Sequence, residues 1–176
     1  ARRCGQGCTV YIVSGDKDLM QLVNDTILVW DTLTDKIYDR EAVKEKFDVY
    51  PEYIPDLLAI MGDASDNIPG IPGIGAKGAA ALIREMGHLE DILNNVDAVG
   101  SPKQKKALQE HADKAREGFE LVRLDREIEL DFGVEDLKAV QPDTERLRKI
   151  FTELEFKSLL KELNLMPDEE RACMHE

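Results

Sequence analysis

The chain's first apolar run is Thr9-Val10-Tyr11-Ile12-Val13, and Ser14-Gly15 closes it. A short β-branched run ended by turn residues predicts a buried strand. Asp16 is placed to cap a helix whose apolar positions are Leu19, Met20, Leu22 and Val23. Thr26-Ile27-Leu28-Val29-Trp30 predicts a second strand, and Lys36-Ile37-Tyr38 a short third one. Strand, helix, strand predicts a βαβ unit with a parallel sheet.

From residue 40 onward the periodicity is helical. Ala42, Val43 and Phe47 mark one face of a helix over 40–47. Pro51 opens another that carries Ile54, Leu57, Leu58 and Met61. A glycine- and proline-rich stretch follows, then a helix with Ala79, Ala80, Leu82 and Ile83. Further helices are predicted over 88–94, 103–124 with a break, 144–154 and 158–163, and a late strand over 127–130. Residues 166–176 are polar and aperiodic and read as a linker or tail. The expected division is residues 1–50 as part of an α/β core, 51–165 as a helical subdomain and 166–176 as the tail.

Composition narrows the functional classes only in part. The 176 residues are 43% hydrophobic, enough for a packed core. No apolar run approaches membrane-spanning length, so no membrane partner is expected. Cys4, Cys8 and Cys173 have no framework spacing, which predicts free thiols in a reducing cytoplasm. The chain begins with Ala1 and reads as the interior of a larger gene product. A net charge of −13 argues against nucleic acid when taken alone. That argument weakens if the acids gather at a metal site and the bases elsewhere.

Asp16 and Asp18 follow a predicted strand's C-terminal end, where open parallel sheets bind ligands. Two carboxylates on one turn repel unless a cation lies between them, and a hard divalent ion prefers such oxygen ligands. Each also has a plain structural reading, Asp16 as a cap and Asp18 as a first-turn acid. Asp63 and Asp66 follow the Pro51 helix and would share a face if the turn stays helical; otherwise they serve an Asx-type turn. The four together could hold metal, but spacing does not show that they meet. The segment Gly70-Ile71-Pro72-Gly73-Ile74-Gly75-Ala76-Lys77 is more specific. Its glycines permit close backbone approach, and the next helix offers free N–H groups and Lys77 to a phosphate. This is the pattern of a helix-hairpin-helix, which grips nucleic-acid backbone without reading bases. Lys103, Lys105 and Lys106, near Arg116, are either a basic patch or a solvated helix start. No Ser or Cys has a base nearby in sequence, so a side-chain nucleophile is not expected.

These residues resemble the 5′ nuclease domain of bacterial DNA polymerase I. The segment from Val13 through Gly15-Asp16-Lys17-Asp18 to Val23 is similar to its second acidic motif. Met61-Gly62-Asp63-Ala64-Ser65-Asp66-Asn67 and the following residues to Lys77 are similar to its third acidic motif and helix-hairpin-helix. The resemblance reaches about Met166 and is to that domain's C-terminal half. It implies a partial PIN-like α/β fold of the flap endonuclease superfamily, followed by a mostly helical region. It implies two Mg²⁺ or Mn²⁺ ions hydrolysing a phosphodiester near a 5′ end, with Asp16, Asp18, Asp63 and Asp66 as metal ligands. It implies DNA with a 5′ flap, nick or gap as partner, held by Gly70, Gly73, Ile74, Gly75 and Lys77, with K⁺ a candidate at the hairpin carbonyls. It further implies a bacterial cytoplasmic protein continuous with an upstream nuclease half, which carries further carboxylates and a basic arch, and a downstream polymerase domain. The alternative is a non-catalytic DNA-backbone-binding module of the same fold. One departure is Gly78, where the family usually has Thr.

Overall fold

A computed structural model describes residues 8–165. Cys4, Cys173 and the expected tail over 166–176 lie outside the described residues. The chain forms two compact units that divide between Asp131 and Phe132.

The first unit begins with a three-stranded sheet of order β1-β2-β3. Strand β1 (Val10–Val13) pairs parallel with β2 (Ile27–Asp31), as the βαβ pattern predicts. Strand β3 (Lys36–Tyr38) pairs antiparallel with β2, so the sheet is mixed rather than wholly parallel. The reason is local. Only residues 32–35 join the two strands, too few for a crossover to a parallel neighbour. Asp31 closes this turn by accepting hydrogen bonds from Leu33 N (3.0 Å) and Thr34 Oγ1 (2.9 Å). Trp30 Nε1 donates to Asp35 Oδ1 at 3.1 Å, and Asp35 takes a left-handed conformation. Val29 and Tyr38 are buried on one sheet face, while Tyr11, Val13, Trp30 and Ile37 remain exposed.

Between β1 and β2 the expected α-helix is a 3₁₀ turn over Lys17–Leu22. Its rise of about 2.0 Å per residue, against about 1.5 Å for an α-helix, lets a short segment return to the start of β2. Met20, Gln21 and Val23 bury themselves from this turn. Gln21 is held at both ends of its amide: Nε2 donates to Val122 O (2.9 Å) and Oε1 accepts from Leu124 N (3.1 Å). Arg126 adds a hydrogen bond to the Gln21 carbonyl at 2.6 Å.

Helix α1 (Arg40–Phe47) is capped by Asp39, whose carboxylate accepts from Ala42 N. Pro51 opens a 3₁₀ turn (Pro51–Tyr53) that leads into α2 (Ile54–Met61). Ile54, Leu57, Leu58, Ala59 and Ile60 are almost wholly buried, which makes α2 the central helix of the unit. Packed around it are α3 (Ala76–Met86) and α5 (Pro102–Val122); α4 (Leu89–Asn94) packs on both of these. Gly118 of α5 lies so near Ala59 and Ile68 that an added methyl would stand 3.3 Å from Ile68 Cγ2. The expected break in α5 falls at His111, with φ −121° and ψ 17°. Asp56, on α2, is also buried. It accepts Leu89 N at 2.8 Å and meets His88 Nδ1 at 3.0 Å, which anchors the start of α4.

The strand expected over 127–130 is not formed. Asp125 Oδ1 accepts Glu127 N at 2.9 Å, a local turn that competes with ladder pairing. The second unit contains α6 (Thr144–Glu153), capped by Asp143, and α7 (Lys157–Glu162), close to the predicted helices. The Phe151 and Phe156 rings meet there at 6.1 Å between centroids.

One contact fixes the loop after α2. Gly62 ends that helix at φ 82°, and Gly70 has φ 62°. A Cβ on Gly70 would fall 2.4 Å from Gly62 N, and one on Gly62 would fall 2.8 Å from Ile68 O. Gly70→Ala should therefore cost about 3 kcal/mol or more of stability, through backbone strain added to a collision with main chain. At Gly75 the space is open within 4 Å and φ is −87°. Gly75→Ala should cost within about 1 kcal/mol. Urea denaturation of the two variants measures the contrast.

Candidate metal centre and phosphate-binding hairpin

The site has two acidic arms. The first follows β1. Asp16 caps the 3₁₀ turn, its carboxylate accepting Asp18 N at 3.0 Å, while Ser14 Oγ accepts Asp16 N at 3.1 Å. The structural reading of Asp16 is thus correct as far as it goes. The cap also fixes the backbone that carries Asp18.

The second arm is the loop after α2. It does not continue the helix, so Asp63 and Asp66 are not neighbours on a helical face. Asp63 and Ile68 instead exchange two backbone hydrogen bonds of 2.8 Å each and close the loop on itself. Asn67 takes a left-handed conformation, and Asp63 Oδ1 accepts Ser65 N at 2.9 Å, as in an Asx turn. This closed loop brings Asp63 and Asp66 together.

The two arms converge. One carboxylate oxygen from each of Asp18, Asp63 and Asp66 can be chosen so that all lie within 4.8 Å of one another. Asp16 is outside this trio but near enough to oppose ionisation of both Asp18 and Asp66. Two oxygens are buried without a hydrogen bond, Asp18 Oδ1 and Asp63 Oδ2. Asp63 Oδ2 does have a charge partner, since Lys17 Nζ stands 2.6 Å away, but that contact lacks hydrogen-bond geometry. Lys17 directs its hydrogen bond to Asp63 Oδ1, also at 2.6 Å, and reaches Ser65 Oγ at 3.2 Å.

Electrostatics divides the carboxyls. Burial, then repulsion from Asp16, Asp66 and Asp63, pushes Asp18 up to about 6. Burial also opposes ionisation of Asp63, but the Lys17 ammonium and the Ser65 N–H outweigh it and hold the group below its usual range. Asp66, although exposed, is raised, first by the hydrogen bond it shares with Asp63 and then by loss of hydration. Sequence reasoning gave Lys17 and Ser65 no role. A lysine between two acids at a strand's end was the available signal for the first.

The hairpin joins α2 to α3. Ile71 N donates to Ile60 O at 2.8 Å and Ile74 N donates to Ile71 O at 3.1 Å. The Ile71 and Ile74 side chains are buried, and so is Gly70. Ile74 thus anchors the hairpin and has only its carbonyl to offer a ligand. Gly73, at φ 82°, together with Gly75 and Lys77, forms the exposed part. At Gly78 a Cβ would lie 3.1 Å from the Gln104 amide nitrogen on α5, a flexible side-chain end that a larger residue would have to move aside. Lys103 also approaches the hairpin, its Cε 3.6 Å from where a Gly73 Cβ would be. The rest of the suspected basic patch is engaged elsewhere, with Lys105 on Asp97 (2.6 Å), Lys106 near Glu110 (3.7 Å) and Arg116 on Glu90 (2.7 Å).

Comparison with known proteins settles the family. Residues 49–145 match the family model of the 5′-3′ exonuclease C-terminal SAM fold, and residues 1–48 match that of its N-terminal resolvase-like domain. The chain belongs to the 5′-3′ exonuclease family. The 5′-3′ exonuclease of Aquifex aeolicus (strain VF5) is 38% identical over 159 residues, covering 90% of this chain and 54% of that protein. DNA polymerase I of Bacillus caldotenax is 37% identical over 174 residues, covering 97% of this chain and 20% of that protein. A flap endonuclease of bacteriophage T5, whose structure was determined with DNA and metal ions, superposes with a TM-score of 0.61 at 31% identity, covering 65% of this chain and 42% of that one. The chain thus spans about half the length of the first of these exonuclease relatives and a fifth of the second. The mixed sheet with helices is this nuclease fold, as the resemblance implied. Among the described residues no helix is long and apolar enough to cross a membrane.

The raised pKa of Asp18 has a definite sign for stability. Its folded value of about 6 lies above the ordinary 3.8, so the unfolded chain releases this proton more readily. The penalty is absent below about pH 4, grows from there to about 6, and is fully present above that. In a chelator at pH 7.5, Asp18→Asn should raise the melting temperature by about 2–4 °C for each kcal/mol relieved. The gain should vanish near pH 4, as melts across that range would show.

Proposed function

We propose that this chain is the part of a 5′-3′ exonuclease that holds catalytic metal and grips duplex DNA beside a 5′ flap, nick or gap. The observation that carries the proposal is the convergence of Asp18, Asp63 and Asp66, with two buried oxygens lacking hydrogen-bond donors. Mg²⁺ or Mn²⁺ suits such a set. Metal–oxygen bonds of about 2.0–2.1 Å put neighbouring ligands of one Mg²⁺ about 3 Å apart, so the trio would draw in from its 4.8 Å spread on binding an ion. Asp16 would complete the shell directly or through water. A pair of divalent ions, when bound, would supply an activated water and would stabilise charge on the scissile phosphate.

The chain's own residues would position these parts. The Asp16 cap and the closed loop between Asp63 and Ile68 hold the carboxylates at fixed places. The α3 N-terminus and Lys77 present N–H groups and positive charge to DNA phosphates, which carry no base identity. Carbonyls of the hairpin 70–75 are the proposed seat for K⁺. Further carboxylates would come from the part of the relatives that this chain does not span, and a polymerase domain would follow in the same polypeptide, as it does in relatives of the DNA polymerase I kind.

The test is cleavage of a 5′-flap substrate in Mg²⁺ by this chain, alone and co-expressed with the upstream half of a relative. Cleavage is expected only in the second case. There Asp66→Ala should lower the rate about a hundredfold or more, because the transition state loses an aligned ion. Robust cleavage by the chain alone would show that these residues do not need the others. For DNA binding, Lys77→Ala should weaken affinity equally on unrelated sequences of one shape and reduce its salt dependence by about one phosphate contact. A variant that loses affinity for one sequence only would contradict backbone recognition.

A further inference from the structure

Lys17 occupies the place in the acidic site where a cation is wanted. Its ammonium stands 2.6 Å from both oxygens of Asp63, a carboxylate that is 3% exposed, and 3.2 Å from Ser65 Oγ. Asp63 is also one of the three acids whose oxygens gather within 4.8 Å. Removing a buried carboxylate from water without a counter-ion is costly, and three in one place are worse. Asp63 lies in a loop whose backbone is closed by its own two hydrogen bonds, so it cannot turn away cheaply. The lysine, by contrast, is a flexible arm on the other acidic segment, with 28% of its side chain exposed. It can withdraw to water while its backbone stays capped by Asp16.

We propose that Lys17 is a built-in counter-ion, which holds the metal-free site assembled by bridging its two arms and which a divalent ion displaces from Asp63. The inference rests on the metal reading above and deepens it. Lys17 is a positioning residue: it keeps Asp63 and Ser65 on one arm close to Asp18 on the other until the ion arrives. Its ammonium and a divalent ion compete for Asp63 because two cations held side by side on one buried carboxylate would repel each other. The competition weakens metal binding, and in exchange the empty site does not spring apart.

Two measurements on the full chain test this. The first uses the unaltered protein: a brief pulse of acetic anhydride, read by mass spectrometry, reports the accessibility of each lysine amine. Labelling of Lys17 should be low in EDTA and rise several-fold in saturating Mn²⁺, while exposed Lys77 stays constant as a reference. The second is titration calorimetry with Mn²⁺ alone. Lys17→Met should bind the ion about tenfold more tightly, the equivalent of about 1.4 kcal/mol, and should melt at a lower temperature than the parent in EDTA. Lys17→Arg should restore the EDTA melting temperature. Mn²⁺ binding with unchanged or reduced Lys17 labelling overturns the displacement, and the metal centre stands without it. Failure of Mn²⁺ to bind either protein overturns the metal centre and this inference together.

Discussion

The backbones of Gly62 and Gly70 touch, and the site is built on that contact. Neither position has room for a β-carbon, and both glycines take backbone angles that other residues avoid. Their meeting pinches the chain at the end of α2 into a closed loop. Inside the pinch lie Asp63 and Asp66; immediately outside it the hairpin to α3 begins. One backbone contact therefore sets the distance between the acids and the glycine-rich turn. The buried α2 supplies the fixed base, since its apolar residues leave it no freedom to shift.

Charge is arranged against the overall sign. A chain of net charge −13 is an improbable partner for DNA if its charge is treated as uniform. The structure distributes it differently. Many acids on the helices are matched by neighbouring bases, as Glu90 is by Arg116, Asp97 by Lys105 and Glu52 by Arg40. The acids at the site are held together against repulsion, with one lysine among them. Lys77 enters no ion pair among the described residues and stands at the exposed start of α3. Local arrangement, not the total, decides where positive charge stands free of acids.

Much of this was legible in the sequence, and the failures have physical causes. Strong periodicity located α1 to α7, the first three strands and the interruption of α5. The acidic pairs and the glycine-rich hairpin were visible because their composition is unusual. The antiparallel direction of β3 was not read, because the turn over 32–35 is closed by the side chain of Asp31 and carries no strong turn dipeptide. The strand expected over 127–130 is replaced by a local turn that Asp125 closes on Glu127 N, which alternation in the sequence does not show. Whether Asp63 and Asp66 share a helical face or serve an Asx-type turn stayed open in the sequence, because spacing shows i, i+3 and cannot show a loop closed by its own backbone; the structure forms the Asx turn. Lys17 was passed over because an exposed-looking lysine between acids is ordinary until Asp63, from residues far away in sequence, is found beside it. The buried Asp56 was hidden for a similar reason: its partners, His88 and Leu89, come from the far side of the hairpin.

Gln21 imposes an order of events on the growing polypeptide. Its amide sits at the end of the turn that carries Asp18, yet its partners Val122 and Leu124 come about a hundred residues later. During synthesis the first acidic arm emerges early and cannot be finished, because a buried amide without partners is unstable. The ribosome must complete the whole of α5 and reach Arg126 before that turn is clamped. The arm that carries Asp16 and Asp18 is thus secured only late in folding, by a contact of long sequence separation whose closure is slow. The turn that carries Asp18 therefore takes its final place only after the helical support that clamps it has been made.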